Sequence, residues 1–329
     1  MDSLTAAGQH YAVGSFSERR GVLAPMVDLF RLCFQHYEGA LNISPDYLEW
    51  FSGRPGFDWQ ASQIALAGDD LAASLFITTA QMVVAGQVRP VAITDSVMTH
   101  PDCRRRGLAR ALMLRSLESV KGRAEANILF TQPGTPPHEF YLSLGFRDWF
   151  LIHVWERAPG PASGPQLRAL DKVAHQQHVS AALTSFWGDH EGWLPLDKAL
   201  WRWRKQQRPA CAPSTVYALE ADAPSVVTVA SAEVIREGSI VPRQMLTDWA
   251  GSPDSLPRLL AGAAALRPDC PTRALTAATD GPSAAALTKA GFQDVATEVA
   301  MLLSLAPPTE RAAPTRLPAY VPVESVVGV

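Results

Sequence analysis

Two short patterns occur twice, in the same order, in this chain of 329 residues. "YLEWFSGRPG" (residues 47–56) aligns without gaps on "WRWRKQQRPA" (residues 201–210), sharing Arg-Pro and an aromatic at Tyr47 and Trp201. "FYLSLGFRD" (residues 140–148) aligns on "ALTKAGFQD" (residues 286–294). Each copy then runs through a strand-like stretch into Ala-Pro, at Ala158-Pro159 and Ala306-Pro307. Two markers at similar separations predict a duplicated fold. The length suits two domains of ordinary size.

Proline and glycine place the boundaries. "APGPASGPQ" (residues 158–166) is a poor helix or strand and reads as a linker. The tail from Pro307 is again proline-rich, either disordered or an extended arm on a neighbouring surface. The expected organisation is residues 1–157, a linker 158–166, residues 167–306, and a tail 307–329. Before the linker, strand-like and helical runs alternate. Helices are expected over residues 22–37, 45–51 and about 105–120, and again over "PPHEFYLSLGF", which starts with proline and stops at Gly145. Strands are expected in "HYAVGSF", "SQIALAG", the long run from Leu71 to Met98 broken at Gly86, "ANILFT" and "WFLIHVWER".

The most distinctive stretch is "HPDCRRRGLARALM" (residues 100–113). A β-like run leads into it and a helix leaves it. Unsatisfied N–H groups and the dipole make a helix start positive. Gly107 permits close approach of the backbone, and phosphate fits such a nest. Three arginines there are unfavourable unless an anion arrives, which tilts the reading from a solvated basic turn toward a binding site.

Arg104-Arg105-Arg106-Gly107-Leu108-Ala109 resembles the Arg/Gln-x-x-Gly-x-Gly/Ala motif of the GCN5-related N-acetyltransferase (GNAT) superfamily. "MTHPDCR" stands where that family has "V-x-P-x-x-R", and "EFYLSLGF" resembles its "FYxxxGF". The resemblance covers about residues 10–157; beyond that it rests on the internal repeat. It implies an α/β (α+β) fold of two tandem GNAT-like domains. Each would be a central mixed, largely antiparallel sheet flanked by helices. It further implies an acetyl-CoA-dependent N-acetyltransferase, using acetyl-CoA or another short acyl-CoA as co-substrate, with a small-molecule amine as acceptor. In that family mode, N–H groups of about Arg105, Arg106, Gly107, Leu108 and Ala109 cradle the pyrophosphate, and Arg104, Arg105 and Arg106 add charge to the nest. Val97 and Met98 pair with the pantetheine arm, and Thr131 and Gln132 lie across the cleft. The asparagine that often follows this strand in the family is missing before Tyr141.

Acyl transfer to an amine needs a base for the amine and an acid for the leaving thiolate. Tyr141 matches the tyrosine that in the family often serves as the acid. Asp95 stands nine positions before Arg104, the spacing of the catalytic glutamate in the superfamily's histone acetyltransferases. A carboxylate amid "VAITDSVM" is costly in a buried strand. Asp95 is the base candidate, or else orients the substrate ammonium. His100 and His138 flank the cleft and read as turn or surface residues. Trp187, Trp193, Trp201 and Trp203 read as packing between helix and sheet. His175 and His178 are spaced i, i+3, but no third ligand is evident, so no metal is expected.

The second half lacks the Arg-x-x-Gly-x-Gly/Ala pattern. Pro253 and Pro257 bracket the corresponding turn, and proline has no N–H for phosphate. Leu287 stands in place of Tyr141. This half is expected to keep the fold without the cofactor, and to close the acceptor pocket or stabilise the first half.

Composition excludes broad alternatives. A net charge of -3 does not call for nucleic acid. Hydrophobic residues at 47% and charged residues at 19% favour a large core. No window reads as a membrane span. Four scattered cysteines, Cys33, Cys103, Cys211 and Cys270, fit a reducing, cytoplasmic setting. A monomer or a homodimer is expected. Other readings of the same scaffold are a non-catalytic acyl-CoA sensor, an O-acyltransferase or a decarboxylase.

Overall fold

A computed structural model describes residues 1–6, 8–35, 40–161, 163–219, 225–306 and 317–325. The first half runs β1 (Asp2–Ala6), β2 (Gln9–Ser15), α1 (Leu23–Phe34), α2 (Pro45–Ser52), β3 (Gln63–Ala67), β4 (Asp70–Val84), β5 (Gln87–Thr99), α3 (Leu108–Val120), β6 (Ala126–Thr131), α4 (Pro136–Ser143) and β7 (Arg147–Arg157). The second runs β8 (Leu167–Leu170), α5 (Gln176–Trp187), α6 (Lys198–Trp201), β9 (Ser214–Leu219), β10 (Val226–Arg236), β11 (Ser239–Ala250), α7 (Ser255–Ala265), β12 (Thr272–Ala277), α8 (Gly281–Lys289) and β13 (Gln293–Ser304). The tandem GNAT-like architecture is therefore present, with β1 as an unexpected edge strand. The first helix ends at Phe34; Tyr37, its expected end, lies outside the described residues.

Local chemistry accounts for these elements. Ser44 accepts from the Tyr47 N–H and Pro45 opens α2, and Pro136 and Pro137 open α4, where an N–H would be orphaned anyway. Ala85 and Gly86 both adopt positive φ (53° and 71°), the hairpin turn whose twist matches the flanking strands. Glu237 and Gly238 repeat it between β10 and β11 (50° and 75°).

The two halves share one sheet, in the order β1-β2-β3-β4-β5-β6-β13-β7-β12-β11-β10-β9-β8. The final strands are exchanged: β13 lies against β6, and β7 lies against β12. The β7–β13 register is symmetric about Ile152↔Glu298. Asp294↔Trp155 is mirrored by Met301↔Asp148, and Gln293↔Glu156 by Leu302↔Arg147. A second point of this pseudo-dyad is the stacked pair Trp50 and Trp203 (4.5 Å, 6°), each donating its indole N–H to the other's carbonyl (3.1 and 2.8 Å). The ungapped alignment of residues 47–56 on 201–210 is thus one residue out at the tryptophans. A π-helical turn at Arg202–Gln206 absorbs the extra residue.

The halves also clasp each other's hairpins. Buried Glu191 accepts from the N–H groups of Ala85 (2.9 Å) and Gly86 (2.7 Å). Near the other hairpin, Asn42 N–H donates to Glu233 O and Ile235 N–H to Ala40 O. Trp187, Trp193 and Trp201 pack in the core of the second half, as expected.

The tail's described part is an arm: Ala319, Tyr320, Val321 and Val323 are buried. Glu324 receives Arg204 Nε (3.0 Å) and Nη2 (2.8 Å). Nearby, Lys205 bonds Asp248 and Thr228, and Thr228 in turn donates to Asp248 (2.8 Å). Burial alone would raise the carboxyl of Glu324, but Arg204 and then Arg208 outweigh it and hold it below its ordinary value. A depressed folded pKa gives stability that is present above the unfolded value and lost as pH falls through the folded one. Urea midpoints are therefore expected to drop below about pH 4.5. Glu324→Gln should cost about 2–3 kcal/mol at pH 7 and flatten part of that acid limb. An unchanged midpoint at pH 7 would show that the arm is not held by this pair.

Candidate functional site

The site begins where two strands part. β5 and β6 pair in parallel at Val91↔Ala126, Ala92↔Asn127 and Ile93↔Ile128, and no further. Thr94 Oγ1 donates to Asn127 Oδ1 (2.8 Å) at the vertex. Beyond it, β5 stays on β4, with a bulge at Ser96 (φ 50°). Its other edge pairs with no strand among the described residues. The opening is a cleft of about 780 Å³.

The basic turn lies at the cleft's outer end. His100 Nδ1 accepts from Asp102 N–H (3.3 Å) and Arg104 Nε donates to Thr99 O (3.3 Å). Arg105 (φ 59°) and Gly107 (φ 76°) are both left-handed. This delays α3 to Leu108, later than expected, and suits an anion nest. The first helical bond, Ala111 N–H to Gly107 O, leaves the N–H groups before it without a helical partner. Arg104, Arg105, Gly107, Leu108, Ala109 and Arg110 line the cleft.

Arg106 differs from the expectation. Its guanidinium donates to Tyr11 Oη (2.7 Å), to Asp102 O (2.7 Å) and to Gln9 Oε1, so its side chain braces the turn against β2. Val97, Met98 and Thr131 line the cleft; Gln132 does not. Arg110, one helical turn past Arg106, is a cleft cation that motif reading passed over.

Asp95 and Tyr141 both line the cleft. Asp95 is buried and bonded to the guanidinium of Arg54, which stacks over Phe51 (4.4 Å). Its carboxylate is already engaged, and taking a proton from a substrate would disturb that pair. Tyr141 packs beside Phe140 and Phe146. Burial, and then the charge of Asp95, push its hydroxyl well above its ordinary pKa. It therefore stays a protonated donor through the physiological range. His138 is buried rather than at the surface. It bonds Asp148 (2.8 Å) and accepts from Gly134 N–H (3.2 Å), so it ties α4 and its preceding turn to β7.

Two features of the site were not read from the sequence. Glu298, from β13 of the second half, lines the cleft. A second cavity of about 400 Å³ lies on the other side of the Arg54–Asp95 pair. It is walled by Thr78 and Ile93 of the first half, Leu194 and Trp203 of the second, and Glu324 of the arm.

The corresponding region of the second half is built differently. β11 and β12 also pair at three positions and part. Trp249 fills the gap, its carbonyl accepting from Trp187 Nε1 (2.6 Å) and its indole donating to Ser283 (3.1 Å). None of the residues 251–254 has positive φ, so no nest forms. Leu287 is core. His175 and His178 stand at the start of α5, and no group of three metal-ligating side chains occurs among the described residues. No helix there is long and apolar enough to cross a membrane.

Residues 20–148 match the family model described as acetyltransferase (GNAT) domain. Among solved structures, the chain is similar to Saccharomyces cerevisiae N-myristoyltransferase with bound myristoyl-CoA. The identity is 13% and the TM-score 0.72, over 99% of this chain and 91% of that one. It is also similar to a GCN5-related N-acetyltransferase from Anabaena variabilis ATCC 29413, at 15% identity and TM-score 0.61 over 90% and 73% of the two chains. A probable N-acyltransferase from Enterococcus faecalis V583 stands at 15% identity and TM-score 0.60, over 90% and 73%. Identities this low carry the fold, not the activity. No curated protein sequence matches the chain.

Proposed function

We propose that this chain, whose residues 20–148 match the acetyltransferase (GNAT) domain model, transfers an acetyl or other short acyl group from coenzyme A to a primary amine. The observation that carries the reading is the parting of β5 and β6 beside a left-handed, arginine-lined turn at the start of α3. The turn suits a pyrophosphate, and the open edge of β5 at Val97 and Met98 suits the amides of a pantetheine arm. Tyr141 would protonate the departing thiolate. The amine would approach through the second cavity, from the other side of Asp95. The second half then serves by walling that cavity, not by binding a cofactor of its own.

Calorimetry of the full chain with acetyl-CoA is the first test, followed by release of free thiol in the presence of pooled amino sugars, amino acids and polyamines. Gly107→Glu should weaken acetyl-CoA binding more than 100-fold while leaving the fold intact. A Cβ at Gly107 meets nothing within 4 Å, so the damage comes from a carboxylate facing phosphate and from local strain at positive φ. Wild-type binding by that variant would place the cofactor elsewhere. Binding by the wild type without turnover would favour a sensor, a reading that the engaged state of Asp95 also suits.

A further inference from the structure

We infer that the second cavity recognises a carboxylate through Arg204 and Thr78, so that the acceptor is an amino carboxylic acid. The inference rests on the acyl-transfer reading above. Its ground is a pair of buried polar atoms that the fold leaves unpaired. Arg204 is 1% exposed and Thr78 4%, and both line this cavity. Arg204 gives its Nε–Nη2 edge to the arm. Nε and Nη2 donate to Glu324 (3.0 and 2.8 Å), and Nη2 donates also to Tyr320 Oη (2.7 Å). Its Nη1 has no hydrogen-bond partner, and neither has Thr78 Oγ1. Buried polar groups without partners are costly and rare, and call for a partner that binds. The two residues come from different halves, Thr78 from β4 and Arg204 from the π-helical turn after α6. No single local turn accounts for both.

The surrounding charges favour an anion in that place. Arg204, Arg208 and Lys205 all act on Glu324. Asp248 is the other buried acid there, 4.0 Å from Arg204 and bonded to Lys205. Three cations thus meet two carboxylates. Arg208 stacks over Trp50 (4.8 Å) and donates to Ala212 O (3.0 Å), and it forms no ion pair among the described residues. Of the other charged groups lining the cavity, Arg54 is bonded to Asp95 and Arg123 to Asp58 (2.8 Å). Asp197 is exposed to solvent and caps α6 by accepting from Leu200 N–H (2.7 Å). Burial works against the charge of Arg204, but Glu324 and its neighbours outweigh it, so the guanidinium stays protonated. Nη1 then offers a charge-assisted bond to a carboxylate oxygen, and the Thr78 hydroxyl a second donor. A volume of about 400 Å³ admits a small amino acid. Its amine would lie toward the Arg54–Asp95 wall. The N–C bond forms and the C–S bond breaks. Ammonium carboxylate plus acyl-CoA gives N-acyl amino acid, CoA thiol and one proton.

The test uses the full chain with acetyl-CoA and four acceptors of increasing length: glycine, β-alanine, γ-aminobutyrate and δ-aminovalerate, each beside its carboxamide. At the best length, kcat/KM for the carboxylate should exceed that for the carboxamide by about 10–100-fold, the size expected for a hydrogen bond to a charged group. Calorimetry with CoA present should rank the same pairs alike without turnover. Thr78→Val should keep the urea midpoint, since its hydroxyl has no partner to lose, and raise KM for carboxylates about 10-fold with kcat little changed. Arg204→Lys keeps a cation beside Glu324 but not the planar fork, and should abolish the preference for carboxylates. Carboxylate and carboxamide bound and acylated alike would overturn the inference, leaving water as the partner of both atoms and the acyl-transfer reading standing. If the carboxylates bind selectively and no amine is acylated, the recognition stands and the acyl-transfer reading falls. Should Arg204→Lys misfold, Thr78→Val carries the test: an unchanged KM for carboxylates then overturns the inference.

Discussion

A chain ending at Arg157 is expected to be unfolded or aggregated at 25 °C and to bind no acetyl-CoA, although it contains the whole matched acetyltransferase segment. In the full chain, β6 pairs with β13, and β7 lies between β13 and β12. The cut removes one neighbour from β6 and both from β7. Buried Trp149, Ile152, Val154 and Trp155 lose their cover. At about 1.5–3 kcal/mol for each large apolar side chain, the loss rivals a typical total stability of about 5–15 kcal/mol. The bare strands are also templates for association. Size-exclusion chromatography, circular dichroism and calorimetry check this. A monomeric half with acetyl-CoA affinity would mean that β7 had moved into the slot of β13, as the symmetric register permits, and that the exchange is dispensable for folding.

The second large effect is at the wall between the two cavities. Arg54→Met should destabilise the protein by about 3–5 kcal/mol, because it leaves Asp95 buried without its cation. Replacing both partners, Arg54→Met with Asp95→Leu, should recover most of that loss, since two apolar side chains need no compensation. Turnover should not recover, because in the proposed acyl-transfer reading the pair orders the boundary between donor cleft and amine cavity. Urea unfolding of the two single variants and the double variant gives the coupling. Single variants whose costs simply add would show that the two groups do not depend on each other for burial.

Much of this protein was legible along the chain. Arg104 to Ala109, followed by "EFYLSLGF", led to the nest, the cleft and Tyr141. These are local features: left-handed turns, helix starts and a strand feeding a turn depend on a few adjacent residues. Proline in "IVPRQMLTDWAGSPDSLP" told the second half's lack of a nest for the same reason. The Arg-Pro and Gly-Phe markers told the duplication, though not the π-helical residue that shifts Trp203 against Trp50.

The remainder is contact between residues far apart in sequence. Arg106 looked like its two neighbours, yet only the nearness of β2 turned it away from the cleft. Asp95 looked like an isolated buried acid; its partner Arg54 arrives from another element. Glu298 belongs to no motif, in "QDVATEVAM" of the half without a nest, and alternation alone could not say which cleft it would line. The sequence by itself determined two GNAT-like copies, one of them with the arginine–glycine turn at the start of its helix, because propensity, turn chemistry and period are short-range. The exchange of β7 and β13 was decided only by the tertiary structure. The two strands hold equivalent places in their copies and pair with each other in a symmetric register, so the choice of slot falls to pairing and burial summed over the whole sheet.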